Sequence, residues 1–373
     1  MKSLLKIIFL FLFLVLTSCS FQTSFFKEIN KKYINKNVVV SPLSAYQILG
    51  LTANGANGKT LEEMLLVLEN KDLDELNSIN TEILNIAKDL TTIEIANAIM
   101  TAFTPRKNFS SIASKYQSTV ESLKSVAQVN NWCNKKTHGK ITKILDQLDP
   151  NTVMVLLNAI YFKGSWRIEF PEKSTKPKKF YNFNDNSKYI ETDMMSIKDK
   201  FLYYQDNELE IIELPYTKDS MSAIILLPNK DININDFIAK LNDAKLEKLL
   251  KKMIKSTVQL QMPKFELEFS SSLNDVLQNL GMVEPFSDAA DFTGMKEKND
   301  IYIDKVIQKT YLKVDEKGTE AAAVTAITMT TKSASARPLV YSMIVDRPFL
   351  FMLKNSKFPK NYEMVFMSKI EEL

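Results

Sequence analysis

Histidine is nearly missing from this 373-residue chain, where His138 is the only one. Zinc centres built on several histidines or cysteines are thereby excluded, and a Ser/His/acid triad would have to be assembled on His138. That residue sits beside Gly139 in a helix-like stretch, and no G-x-S-x-G nucleophile motif occurs anywhere. The chain therefore reads as a non-enzyme with no metal and no cofactor. Glycine is scarce too, at eight residues, and no Pro/Gly/Ser-rich run divides the chain, so the sequence offers no linker and reads as one folded unit. Charge of one sign is also lacking. A formal net charge of +4 spread over the chain gives no argument for nucleic acid, and the clusters Lys176-Lys178-Lys179 and Lys245-Lys248-Lys251-Lys252 read as solvated faces.

The longest unbroken apolar run is at the start. Lys2 and Lys6 precede an apolar stretch, Ile7 to Leu16, too short to span a bilayer as an ordinary helix. The following Leu16-Thr17-Ser18-Cys19 resembles a bacterial lipoprotein cleavage box, with Cys19 as the lipidated first residue. Residues 1–18 are then a signal peptide and 19–24 a tether. The folded part, 25–373, opens at Phe25-Phe26. The location implied is outside the bacterial cytoplasm, periplasmic or at the cell surface, lipid-anchored to a membrane. The only other cysteine, Cys133, then has no partner for an intramolecular disulfide, and it reads as a small buried hydrophobe.

The most unusual stretch lies near the C-terminus, Val314-Asp315-Glu316-Lys317-Gly318-Thr319-Glu320-Ala321-Ala322-Ala323-Val324-Thr325-Ala326. Gly318 suits a pivot, the alanines favour helix, and the Ile327-Thr328-Met329 continuation favours strand. With period 2, Thr319, Ala321 and Ala323 fall on one small, apolar face, while Glu320 carries the only charge on the other. A long exposed loop before Pro338 is equally compatible. So is an Ala-rich helix capped by Thr319.

Further motifs accompany it. Asn37-Val38-Val39-Val40-Ser41-Pro42-Leu43-Ser44 reads as a buried strand running into a capped helix, and Asn54 to Thr60 as a turn before a helix over Leu61 to Leu68. The Gly58-Lys59-Thr60 there is not a phosphate loop, because the required first glycine is Ala53. Asp72–Leu90, Phe109–Tyr116, Val129–Leu148 and Asp236–Ile254 read as helices. Ile93–Met100, Val153–Phe162, Ile211–Tyr216, Met221–Pro228, Val258–Phe269 and Tyr302–Val314 read as strands. Asn158-Ala159-Ile160-Tyr161-Phe162-Lys163-Gly164-Ser165-Trp166, Met282 to Ser287, Ala290 to Met295 and Asp346 to Leu353 follow in order.

From Phe25 to the C-terminus these motifs and their spacing resemble the serpins, the protease inhibitors that work by loop insertion. The resemblance implies an α+β fold, with helices around one large mixed β-sheet and two smaller ones. It implies a reactive loop over about residues 316–340, with Glu316, Gly318, Thr319, Glu320, Ala321, Ala322 and Ala323 as its hinge. Ser41, Ser44, Asn158 and Gln308 would form the polar cluster beneath the sheet, and Trp166 would stand where the loop first enters. At Gln308 the family usually carries histidine. Glutamine can also donate and accept. Family spacing from Gly318 puts the scissile bond at Lys332-Ser333, a lysine suited to the acidic pocket of trypsin-like serine proteases. The function implied is suicide inhibition by a monomer that forms a covalent complex with its target protease. A non-inhibitory serpin acting as a membrane-tethered binding module stays open, as does inhibition of elastase-like or cysteine proteases.

Overall fold

The computed structural model describes residues 19–88, 90, 93–184, 187–218, 220–319 and 339–373. Ser20 caps helix α1 (Phe21–Lys32) by accepting the Thr23 amide, and Phe21, Phe25, Phe26 and Ile29 are all buried. The expectation of a tether over 19–24 is corrected by this packing. Phe21 lies one helical turn before Phe25 on the same apolar stripe, so both go into the core and residues 21–24 are already part of α1.

The chain continues through β1 (Val38–Val40), α2 (Pro42–Ala53), α3 (Gly58–Val67), α4 (Leu73–Lys88), β2 (Ile93–Thr101), α5 (Lys107–Lys115), β3 (Thr119–Ser122) and α6 (Val126–Lys136). Next come β4 (Met154–Phe162), β5 (Gly164–Ser165), β6 (Lys176–Tyr181), β7 (Tyr189–Gln205), β8 (Leu209–Pro215), β9 (Met221–Pro228), α7 (Ile234–Lys240) and α8 (Asp243–Lys252). The C-terminal third holds β10 (Ile254–Pro263), β11 (Phe265–Ser272), α9 (Asn274–Asn279), β12 (Lys305–Val314), β13 (Gly318–Thr319), β14 (Val340–Ile344), β15 (Phe349–Asn355) and β16 (Met364–Ile370). A nine-stranded sheet, a five-stranded sheet and a two-stranded ribbon result. Helix α2 carries no polar face, and all twelve of its residues are buried.

Three boundaries differ from the sequence reading. The helix read over 129–148 stops at Lys136, because His138 and Gly139 both take positive φ, 50° and 82°, and reverse the chain. The single helix read over 236–254 is two, since Leu241 is extended and Asn242 caps α8 by accepting the Lys245 amide. The single strand read over 258–269 is also two, in different sheets, with the switch at Pro263-Lys264. Pro263 has no N–H to carry the ladder onward.

The five-stranded sheet, in order β11-β12-β4-β2-β3, positions the site. Strands β4 and β12 run parallel as direct neighbours, in register from Lys305 opposite Val155 to Tyr311 opposite Tyr161. Every residue of β4 is buried, as expected for a strand covered on both faces. Leu156, Ile160, Val306 and Leu312 point into the main core. Val155, Leu157, Ala159, Tyr161, Ile307 and Tyr311 point the other way, under Val129, Trp132 and Cys133 of α6. Burial pushes the Cys133 thiol up to about 12, far from the thiolate that reactivity needs.

Candidate functional site

At the foot of the β4–β12 seam, alternation turns Asn158 and Gln308 toward the main core, directly opposite each other. The Gln308 amide donates to Asn158 Oδ1 at 2.6 Å and to the Ser41 carbonyl at 2.9 Å, and its Oε1 accepts the Ser41 amide at 2.9 Å. Asn158 Nδ2 donates in turn to Ser44 Oγ and, at 2.6 Å, to Asn97 Oδ1. Ser41 Oγ caps α2 by accepting the Ser44 amide. The four residues expected to meet beneath the sheet, Ser41, Ser44, Asn158 and Gln308, are thus joined in one buried network. Asn97 completes it and escaped the sequence reading. Its signal was present, a single amide inside the apolar run Ile93–Met100.

At the head of the seam, the chain leaves β12 by a tight turn. The Asp315 amide donates to the Gly318 carbonyl at 2.8 Å, and the Lys317 amide donates to Asp315 Oδ1 at 3.0 Å. Gly318 and Thr319 then form β13, antiparallel to β5, with Gly318 opposite Ser165 and Thr319 opposite Gly164. Gly318 has φ of 151°, and a Cβ there would lie 2.0 Å from the Gly164 carbonyl oxygen. Only glycine fits this approach. Thr319 is fully buried, and its Oγ1 lies 2.6 Å from the Tyr216 hydroxyl.

Trp166 roofs this turn. Its indole N–H donates to the Asp315 carbonyl at 2.9 Å, its backbone N–H donates to the Lys317 carbonyl at 2.9 Å, and its ring stacks on Tyr216 at 4.4 Å between centroids. Glu316 is held from the side by the Thr175 hydroxyl at 2.7 Å and Lys264 Nζ at 3.2 Å. Burial works against its charge, but the hydrogen bonds from Thr175 and Lys264 outweigh it and keep the carboxyl below its ordinary range. Lys264 falls at the sheet switch after Pro263, which explains why it reaches the hinge. The remaining hinge residues, Glu320, Ala321, Ala322 and Ala323, and the bond Lys332-Ser333 lie outside the described residues.

Cys19 stands apart from the hinge. It is half-buried beside α1, with Lys27 Nζ 3.9 Å from its sulfur, and burial raises its thiol above the ordinary value. Among the described residues no helix is long and apolar enough to cross a membrane.

The geometry is a short buried strand, Gly318–Thr319, held at the head of a seam between two parallel strands. The family model for serpins, serine protease inhibitors, matches residues 17–372, and the chain belongs to that family. It is 30% identical over 356 residues to Iripin-2 of Ixodes ricinus, covering 91% of this chain and 88% of that one. It is 34% identical over 359 residues to the leukocyte elastase inhibitor of Xenopus laevis, covering 89% and 92%. Its fold matches the crystal structure of the thermophilic serpin Tengpin in the native state with a TM-score of 0.83 and 30% identity, over 95% of this chain and 92% of that one.

Proposed function

We propose that this serpin is a suicide-type inhibitor of trypsin-like serine proteases, exported and held to a membrane by lipid on Cys19. The observation that supports the reading best is the hinge. Gly318 and Thr319 are already paired as strand at the head of a seam whose two strands, β4 and β12, run in the parallel sense a third strand can separate. In this reading the protease serine attacks the Lys332 carbonyl, the bond to Ser333 breaks, and the amine of Ser333 leaves. The acyl-enzyme remains on Lys332, and the loop from Thr319 onward slides between β4 and β12. About 14 residues at about 3.3 Å each give ~45 Å of travel, enough to drag the protease across the molecule and spoil its active site before water releases it. The chain itself supplies no catalytic group.

Because Ser20 already caps α1, lipid on Cys19 would hold the body against the bilayer without a spacer. Mixing the purified protein with trypsin tests inhibition: a band at the summed mass that survives boiling in denaturant is expected, with Lys332 as the acylated residue by mass spectrometry. Cleavage at Lys332 without that band would refute trapping. Cys19→Ser should release the protein from the membrane fraction, and unchanged partition would refute the anchor. An elastase-like target is the second reading, favoured by the relative named for leukocyte elastase and by a one- or two-residue shift of the scissile bond, to Thr331 or Ala334.

A further inference from the structure

The last strand, β16, is buried along its whole length, and it carries a lysine among mostly apolar residues. The Lys369 side chain is fully buried, and that of Glu371, two residues on, is 3% exposed. Four oxygens surround the Lys369 Nζ. It donates to the Tyr33 carbonyl at 3.0 Å, the Ile34 carbonyl at 2.6 Å and Asn235 Oδ1 at 2.8 Å, and Glu371 Oε2 lies 2.7 Å away. An ammonium has only three hydrogens, so one oxygen is left over. It is Glu371 Oε2, which has the short contact but no hydrogen bond in line. Burial pulls the Lys369 amine below its ordinary value, against the opposite pull of Glu371. A plain buried ion pair therefore leaves this group one hydrogen short.

Moving one ammonium proton onto Oε2 removes both charges from the dry interior. The amine keeps two hydrogens, for the Tyr33 and Ile34 carbonyls, and turns a lone pair to the Asn235 amide. A desolvated neutral lysine is a nucleophile. Glu371 also reaches the far end of that amide, where its Oε1 accepts a hydrogen bond from Asn235 Nδ2 at 3.2 Å. One carboxyl thus meets the nitrogen placed to attack and the nitrogen placed to leave, both within reach of proton transfer. We propose that Lys369 and Asn235 join in an intramolecular isopeptide bond, with Glu371 as its catalytic residue, tying α7 to the C-terminal strand. Lys369 Nζ bonds to Asn235 Cγ, whose carbonyl opens to a tetrahedral centre. Glu371 takes a proton from Nζ and gives one to Nδ2. The Cγ–Nδ2 bond then breaks, the carbonyl re-forms and ammonia departs. Of the three ammonium hydrogens, one stays on the new amide, one leaves with the ammonia and one rests on Glu371. No oxidant or external group takes part, and the fold supplies the proximity. Asn235 is only partly buried, which gives the ammonia a way out. The bond is independent of the inhibitory reading.

Mass spectrometry of the purified, denatured protein tests this. Its mass should be one ammonia below that of its sequence, and tandem spectra of a digest should show a branched peptide joining the segments around Asn235 and Lys369. Lys369→Arg and Glu371→Gln should each return to full mass without the branched peptide, the second with amine and amide both still present. Asn235→Asp should still cross-link, by loss of water, to a product identical with that of wild type. Asn235→Ser, at a partly exposed position, should fold and stay unlinked, which decides the matter where a variant of the buried pair fails to fold. A wild type at full mass with no branched peptide would overturn the proposal, as would an ammonia loss that persists in Asn235→Ser. A cross-link formed to the wild-type extent in Glu371→Gln would overturn the role given to Glu371.

Discussion

In the proposed mechanism Thr319 is the first side chain to enter the seam, and Thr319→Arg tests how far inhibition depends on it. The side chain is fully buried and its hydroxyl shares a 2.6 Å hydrogen bond with Tyr216, whose own burial keeps its phenol far above the ordinary value. Replacement leaves the Tyr216 hydroxyl without its partner, at about 1–3 kcal/mol. It also drives a guanidinium toward a pocket of Phe162, Trp166 and Tyr216, where desolvation costs several kcal/mol more. In the intact protein the arginine is expelled from this pocket, so insertion has to bury it anew, and even ~3 kcal/mol added to that step slows it on the order of 10²-fold. Deacylation of the protease is untouched, so the race is lost and the inhibitor becomes a substrate. On a denaturing gel with trypsin, the variant should be cleaved at the normal rate with the boiling-resistant complex nearly gone. Complex formation at wild-type stoichiometry would refute the reasoning.

Other consequences follow from the same geometry. Glu316→Gln weakens the clamp from Lys264 and Thr175 and should lower the melting temperature at neutral pH. Because the Glu316 carboxyl is held below its ordinary value, its contribution is present at neutral pH and is lost as pH falls from about 4 through the depressed folded value. The difference between wild type and variant should therefore shrink in acid, and a difference that grows would contradict the clamp. Gln308→Leu leaves the Ser41 amide and carbonyl and the Asn158 amide oxygen buried with a partner missing, and should cost about 2–4 kcal/mol, seen as a lower urea midpoint. Cys133 should resist thiol reagents in the native protein and react only on unfolding; rapid labelling of the folded chain would contradict its burial.

Much of this was legible because short motifs carry their chemistry locally. Ser41-Pro42 declares a helix cap, Gly318 a pivot, and the apolar run Val153–Phe162 a strand covered on both faces. Asn158 and Gln308 pointed to a polar cluster through the family resemblance, and registration of β4 with β12 brings them face to face. Other features depend on where distant segments meet. The apolar positions run 258, 260, 262 and then 265, 267, 269, a change of phase at Pro263-Lys264 that marks a break but shows neither that the two strands enter separate sheets nor that the switch delivers Lys264 to Glu316. Strand β7, seventeen residues long, mixes exposed and buried positions too irregularly to announce itself. Asn97 had no partner until β2 paired with β4.

The phenylalanines at the N-terminus teach the same lesson at smaller scale. Phe25-Phe26 marks the core, but the polar Gln22, Thr23 and Ser24 before it give no local sign that this turn is packed. Tertiary hydrogen bonds account for Gln22 and Thr23, and for the capping Ser20. Asp243 accepts Ser20 Oγ at 2.8 Å and Thr23 Oγ1 at 2.5 Å, and Gln22 Nε2 donates to the Met364 carbonyl at 2.9 Å.

The central claim is that the loop beyond Thr319 belongs, once cut, between β4 and β12. Differential melting of the intact and trypsin-cleaved protein tests it without any assumption about the physiological target. In the proposed mechanism insertion would add a full strand to the five-stranded sheet and release a metastable intact fold, so the cleaved form should melt far above the intact one. A cleaved form that melts with the intact protein, or below it, would contradict the account.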